Sequence, residues 1–204
     1  MNGPHNAFIL NYGTAASPNA SIRQYLQNGY NAGKWDAGGT SPNPNVGAIT
    51  SSTAAATNAY SIGYADGSDG VVAGLSGGQE EIKFTYAGDA NLDGQVNLTD
   101  LVMLANHFGS TGTNWDQGDF SYDGSVNLTD LTILASHFGD GVGNPLQEAQ
   151  IHAQFAQDLE LLESTDPTFA SEVSRLVPEP SSISLLTLAG IGLLKRRSRI
   201  PAKK

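Results

Sequence analysis

Oxygen-bearing side chains recur at alternating positions in two stretches of this chain. Asp89, Asn91 and Asp93 are followed by Asn97 and Asp100; Asp119, Ser121 and Asp123 are followed by Asn127 and Asp130. Glycine holds the sixth place of each stretch, Gly94 and Gly124. This is the spacing of a calcium loop: positions 1, 3 and 5 point inward, position 9 often acts through water, and position 12 closes the shell. The glycine supplies the sharp turn between positions 5 and 7. Carboxylate and amide oxygens suit a hard cation. The chain has no cysteine and its histidines lie outside both stretches, so zinc and copper fit poorly. Position 12 is Asp rather than the Glu of the EF-hand pattern, so the helix that follows must sit nearer the ion.

The elements that must position these oxygens are themselves duplicated. Gly88–Gly109 and Gly118–Gly139 are two versions of one sequence, which implies one structural unit built twice. Leu101, Leu104, Ala105 and Phe108 fall at helical spacing, as do Leu131, Leu134, Ala135 and Phe138. Thr99 and Asp100 favour a helix start, and Gly109 and Gly139 are natural stops. Helices this short are marginal alone in water. Antiparallel packing of the two apolar stripes, with a metal fixing each N-terminus, removes that difficulty. Before the first loop, Glu80–Tyr86 alternates like a strand. The bland alternative, acidic residues in solvated loops, fails to explain two matches at one period. His107 and His137 recur as a by-product of duplication, and Trp115 between the helices reads as a core plug.

This loop–helix pair resembles the type I dockerin family over residues 89–139. Dockerins are small calcium-folded modules that plug a secreted protein into a cohesin partner, often in polysaccharide-degrading assemblies. The resemblance implies two Ca²⁺ ions, with the carbonyls of Gln95 and Ser125 joining the five ligands of each loop. It places the partner-reading pairs at Leu98-Thr99 and Leu128-Thr129. Cellulosomal versions often carry two small hydroxyl residues there, whereas each pair here contains a leucine.

At 204 residues the chain has room for one or two small domains. Its net charge is −10, yet no Lys or Arg occurs between Lys83 and Arg175. An acidic middle argues against nucleic-acid binding, which needs a basic footprint. Residues 1–87 are glycine-rich and poor in charge. Ala7–Leu10 reads as a short buried strand, Ser21–Gln27 as a helix capped by Ser21 and stopped by Gly29, and Tyr60–Tyr64 as a strand. Ser52 is a candidate cap for a short alanine helix, and Asp66-Gly67 and Asp69-Gly70 read as turns. The order of short motifs here resembles the segment preceding dockerin-type repeats in many secreted bacterial proteins. No catalytic constellation stands out. Met1–His5 lacks the basic and apolar regions of a signal peptide, which suggests a misplaced start or the end of a longer product.

After a connector at Gly139–Asn144, Pro145–Ser164 reads as a spacer helix. The chain then carries Pro178-Glu179-Pro180, the apolar run Ile183–Leu194, and Lys195-Arg196-Arg197. This resembles the PEP-CTERM sorting signal, which implies export, transient inner-membrane anchorage by the tail and processing by an exosortase-type enzyme. A basic cluster after an apolar run stays on the cytoplasmic side. Twelve residues make only about 18 Å of helix against a hydrocarbon core of about 30 Å.

The expected fold class is α+β. It comprises a small β-rich N-terminal region (1–87), a dockerin-like pair of calcium loop–helix units (88–140), a linker and spacer helix (141–176), and a sorting tail with a hydrophobic anchor helix (177–204). The expected function is a calcium-dependent, non-catalytic adaptor of an exported, cell-surface-sorted bacterial protein, with a cohesin-like partner and a link to polysaccharides. The rival expectation is the C-terminal remnant of a glycoside hydrolase whose catalytic domain lies upstream.

Overall fold

The computed structural model describes residues 6–38, 47–143, 148–165 and 169–170. Strands β1 (Ala7–Asn11), β2 (Tyr60–Asp66) and β3 (Gln79–Tyr86) form an antiparallel sheet in the order β1-β3-β2. Asp66 sits opposite Glu80, and Ile62 opposite Phe84. Helices α1 (Asn19–Tyr30) and α2 (Ser52–Ala56) lie between β1 and β2 in the chain. The region expected to be β-rich is therefore mixed. Its first strand is an exposed edge, with Phe8 and Ile9 facing solvent, rather than a buried one. Burial falls on β2, where every residue after Tyr60 is buried.

Helix α1 runs through Gly29, the expected stop, and ends with Asn31 in the left-handed region. The glycine serves packing instead. A Cβ there would lie 1.6 Å from the Ile49 carbonyl oxygen, so only glycine lets that chain cross the helix. Helix α2 is capped by Ser51, whose hydroxyl accepts from the Ala54 amide at 3.1 Å, one residue before the expected cap.

The duplicated segment forms helices α3 (Leu98–Asn106) and α4 (Leu128–His137). Leu101, Leu104, Ala105 and Phe108 are buried, as are Leu131, Leu134 and Phe138. Backbone bonds tie each loop to the far end of the other repeat. The Val126 amide donates to Ser110 and its carbonyl accepts from Gly109; the Val96 amide donates to Asp140 and its carbonyl accepts from Gly139. Gly109 and Gly139 take positive φ, as the expected helix stops do. Helix α5 (Glu148–Thr165) packs against α3, and Phe155 meets the ring of Phe138 edge-on.

The N-terminal sheet and the repeats share one core. Trp115, on a single 3-10 turn (Trp115–Gln117), is wholly buried, as the sequence predicts. Its ring packs against Phe120 and Tyr122, and Tyr122 meets Tyr30 and Trp35. The Tyr122 hydroxyl donates to the Ile62 carbonyl at 2.8 Å. Arg23 donates to the Thr113 carbonyl at 2.8 Å, and Lys83 donates to the Leu92 carbonyl.

The expected anchor helix is corrected here. Among the described residues, no helix is long and apolar enough to cross a membrane. The longest, α5, is amphipathic and carries acids such as Asp158 and Glu160. The sorting motif and apolar run of residues 177–204 lie outside the described residues, and that run is itself shorter than a bilayer core. The fold class therefore loses its membrane-anchor element. The localisation built on that element, an inner-membrane anchor followed by the cell surface, is withdrawn with it.

Gly63 tests the shared core. A Cβ at this strand position would lie 2.4 Å from Leu92 Cδ2 and 2.6 Å from Trp115 Nε1. Gly63→Ala should therefore destabilise the chain by about 1–3 kcal/mol through overpacking. Were the sheet free of the repeats, alanine in a strand would instead be favourable. Denaturant melts of the two proteins distinguish the outcomes.

Candidate functional site

Each loop begins with a carboxylate held by amides of its own turn. Asp89 accepts from the Asp93 amide at 3.1 Å and the Gly94 amide at 2.9 Å, and Thr85 donates its hydroxyl to the same side chain. Asp119 accepts from the Gly124 amide at 2.9 Å. At the next inward position but one, Asp93 and Asp123 accept from the amides of Gln95 and Ser125, both at 2.8 Å. These two acids are exposed, whereas Asp89 and Asp119 are fully buried.

The closing residue explains the use of Asp at position 12. Asn97 caps α3 and accepts from the Thr99 amide, while Asp100 reaches back to the Asn97 amide. That is a capping box, with Asp at the third helical position. The second oxygen of Asp100 accepts from the amides of Ala90 (2.8 Å) and Asn91 (3.3 Å). Asn127 and Asp130 repeat the arrangement, with Asp130 accepting from the amides of Asn127 and Ser121, both at 2.9 Å. One short side chain thus caps the helix and gathers the loop. A longer Glu would push the helix outward.

The two loops share a backbone conformation. Leu92 and Tyr122, at position 4, have φ of 58° and 60°, and Gly94 and Gly124 have 85° and 86°. A left-handed leucine and tyrosine are uncommon. Both are buried in the shared core, which holds them there. Sequence reasoning assigned Leu92 and Tyr122 no role.

Asp89, Asp100, Asp119 and Asp130 have no exposed surface. Burial pushes Asp89 up to about 6 and Asp100 and Asp119 up to about 7, with neighbouring carboxylates adding to each shift. Burial also raises Asp130. Two bases partly offset this charge, Lys83 at Asp89 and Arg23 at Asp119. Both come from the N-terminal region, and neither was singled out from the sequence. Among the described residues, no group of three or more His, Asp or Glu side chains is gathered round one point as a finished metal site. The loops bring together a mixed set instead: carboxylates, the amide or hydroxyl of Asn91 and Ser121, and the caps Asn97 and Asn127.

Of the proposed partner residues, Thr99 and Thr129 are exposed, whereas Leu98 and Leu128 are half-buried and pack against the core. His107 hydrogen-bonds the Met103 carbonyl and His137 pairs with Asp140, so both finish helices.

Residues 87–139 match the family model of the dockerin type I domain. The match spans about a quarter of the chain. It begins within one residue of the first repeat and ends on Gly139, the stop of α4. No curated protein and no solved structure matches the chain. The dockerin-like segment is thus the part of the chain to which a known family attaches, and it contains both loops.

The raised carboxyls fix the pH response of the dockerin-like segment in chelator. Folded pKa values above the unfolded ones mean that the folded state binds more protons, so stability falls as pH rises. For Asp89, Asp100 and Asp119 the window runs from about pH 4, the unfolded value, to about 7, where the folded groups titrate. Melting temperatures in EDTA should drop between pH 5 and pH 8. A rise over that interval would contradict the burial argument.

Proposed function

We propose that residues 88–140 form a non-catalytic adaptor that folds around two calcium ions and docks a cohesin-like protein partner. The dockerin type I match supports an adaptor role in protein–protein interaction. The observation that carries the calcium reading is the pair of loops with matching dihedrals, each burying two carboxylates. Buried anions with too few bases are a cost unless a cation joins them. A hard, all-oxygen set of this kind suits calcium.

Asp89, Asn91, Asp93, Asn97 and Asp100, with the Gln95 carbonyl, would hold the first ion. Asp119, Ser121, Asp123, Asn127 and Asp130, with the Ser125 carbonyl, would hold the second. The ion would supply positive charge at the N-terminus of each helix, where Asp100 and Asp130 already complete the capping boxes of Asn97 and Asn127. The chain's own contribution is to pre-shape each loop through amide-to-carboxylate bonds, so that little order is lost on binding.

The partner surface centres on Thr99 and Thr129 with the flanking Leu98 and Leu128. The two copies are not equivalent in this chain. Thr129, Thr132 and Ile133 share an open groove of about 740 Å³ with Gln27 and Tyr30 of α1. This favours a partner that reads the two faces differently.

Circular dichroism in EDTA, followed by added calcium, tests the calcium reading. Calcium at about a hundredfold excess over the dissociation constant should stabilise the chain by about 2.7 kcal/mol per loop. Asp100→Ala and Asp130→Ala should each remove one loop's share. A melting temperature indifferent to calcium would refute the reading.

A further inference from the structure

One edge of the sheet is open. Among the described residues, β1 pairs with β3 on one side and with no strand on the other. At its two ends the bonds to β3 come from even-numbered positions. The Asn6 carbonyl accepts from the Phe84 amide at 3.1 Å, and the Tyr12 amide donates to the Gly78 carbonyl at 2.9 Å. Residues of an antiparallel strand alternate in the side to which they bond, so the amides and carbonyls of Ala7, Ile9 and Asn11 point to the open side. We propose that two copies of this chain join there, β1 against β1, into one continuous antiparallel sheet with a two-fold axis at Ile9.

The edge lacks the features that keep such strands apart. Natural edges are guarded by charges, proline or bulges. Strand β1 has no charged residue and no proline. Its register with β3 runs one-to-one from Ala7 opposite Lys83 to Asn11 opposite Gln79, without a bulge. It also holds two adjacent large apolar side chains in the open, Phe8 at 62% and Ile9 at 53% exposure. Successive side chains of a strand point to opposite faces, so Phe8 lies on the face of Ile82 and Ile9 on that of Glu81. A helix laid on one face would cover only one of them. A strand added at the edge covers both, and it satisfies the open amides and carbonyls as well.

Charge and shape select a second copy as that strand. The chain carries a net charge of −10, so most pairings of two copies bring like charges together. Residues 1–22 hold no Asp, Glu, Lys or Arg, and the open edge falls within them. Strand β1 is also its own complement. A half-turn about Ile9 sets Ile9 against Ile9, Phe8 against Leu10 and Ala7 against Asn11, with no charge in any pair. Apolar cross-strand pairs of this kind are favourable. On the Phe8 face the edge opens into a hollow of about 410 Å³ lined by Phe8, Ile49, Ile82 and Phe84. That leaves room beside Phe8 for Leu10 of the second copy.

An isologous contact of this type closes at two copies. Five residues from each copy make a small interface, so the dimer is a weak one that forms as concentration rises.

Sedimentation of the full chain, in buffer with calcium, tests this independently of any docking partner. The apparent mass should climb from 21.3 kDa towards twice that value with concentration. Ile9→Lys, which puts a charge on the open edge, should hold the monomer mass with an unchanged circular dichroism spectrum. The chain has no cysteine, so single cysteines report the register. In the two-fold arrangement Ile9 and its copy are a hydrogen-bonded pair about 5.5 Å apart at Cα, within reach of a disulfide. Phe8 and its copy are not opposed. Under oxidation Ile9→Cys should therefore cross-link into a dimer severalfold faster than Phe8→Cys, although Phe8 is the more exposed side chain. These two variants decide the matter where Ile9→Lys fails to fold. A wild type that stays monomeric at every concentration overturns the proposal and leaves the edge to a strand of another protein. A dimer that survives Ile9→Lys, or equal cross-linking of the two cysteine variants, places the contact elsewhere and overturns it too.

Discussion

A hydrogen bond of 2.7 Å from the Trp115 indole to the Asp89 carbonyl joins the connector between the repeats to the first residue of the first loop. Much of the molecule depends on where that indole sits. Its ring fills the space beside Gly63 and Leu92 and packs on Phe120 and Tyr122, so sheet, loops and connector meet at one side chain. The indole nitrogen is a donor only, and burial obliges it to find an acceptor. The Asp89 carbonyl is that acceptor. The position of a loop acid and the packing of the sheet are thereby coupled through one rigid ring.

The repeats were legible because their logic is local. Ligand spacing, the glycine at position 6, the apolar stripe and the terminal glycines all lie within about twenty residues of one another, and each has a short-range physical cause. Asn97 and Asn127 show the limit of that reading. Their spacing marks them as loop oxygens, and the structure makes them helix caps as well, paired with an Asp three residues on. The N-terminal region was read less well. Gly29 looked like a helix stop because stops are its commonest use, yet a crossing chain from Ile49 requires it. Lys83 and Arg23 carried a faint signal, as two of the few bases outside the tail. Nothing in their own neighbourhoods tells which distant loop they face.

Charge placement is the second theme. A stretch without a Lys or Arg, from residue 84 to 174, would repel itself if its acids were simply buried. The fold mitigates this by bringing in Lys83 and Arg23 and by assigning many acid oxygens to backbone amides. The amide bonds also explain why the acids most deeply buried are those at positions 1 and 12. Asp89, Asp100 and Asp130 each accept from two or more amides and Asp119 from one, whereas Asp93 and Asp123 stay at the surface.

The strand order β1-β3-β2 has a kinetic consequence. Ala7 pairs with Lys83 and Asn11 with Gln79, so the central strand is the last of the three to be made. The edge strand must wait on the ribosome until some seventy further residues emerge. Closing so long a loop is slow compared with zipping a helix. The neighbouring pair β2 and β3 is close in sequence and can form as a hairpin first, exposing the free edge of β3 until β1 arrives. An unpaired central edge is the kind of surface on which two nascent chains can join. A chain of this topology is most vulnerable to strand exchange with its own copies while it is being synthesised, and least so once β1 has closed the sheet.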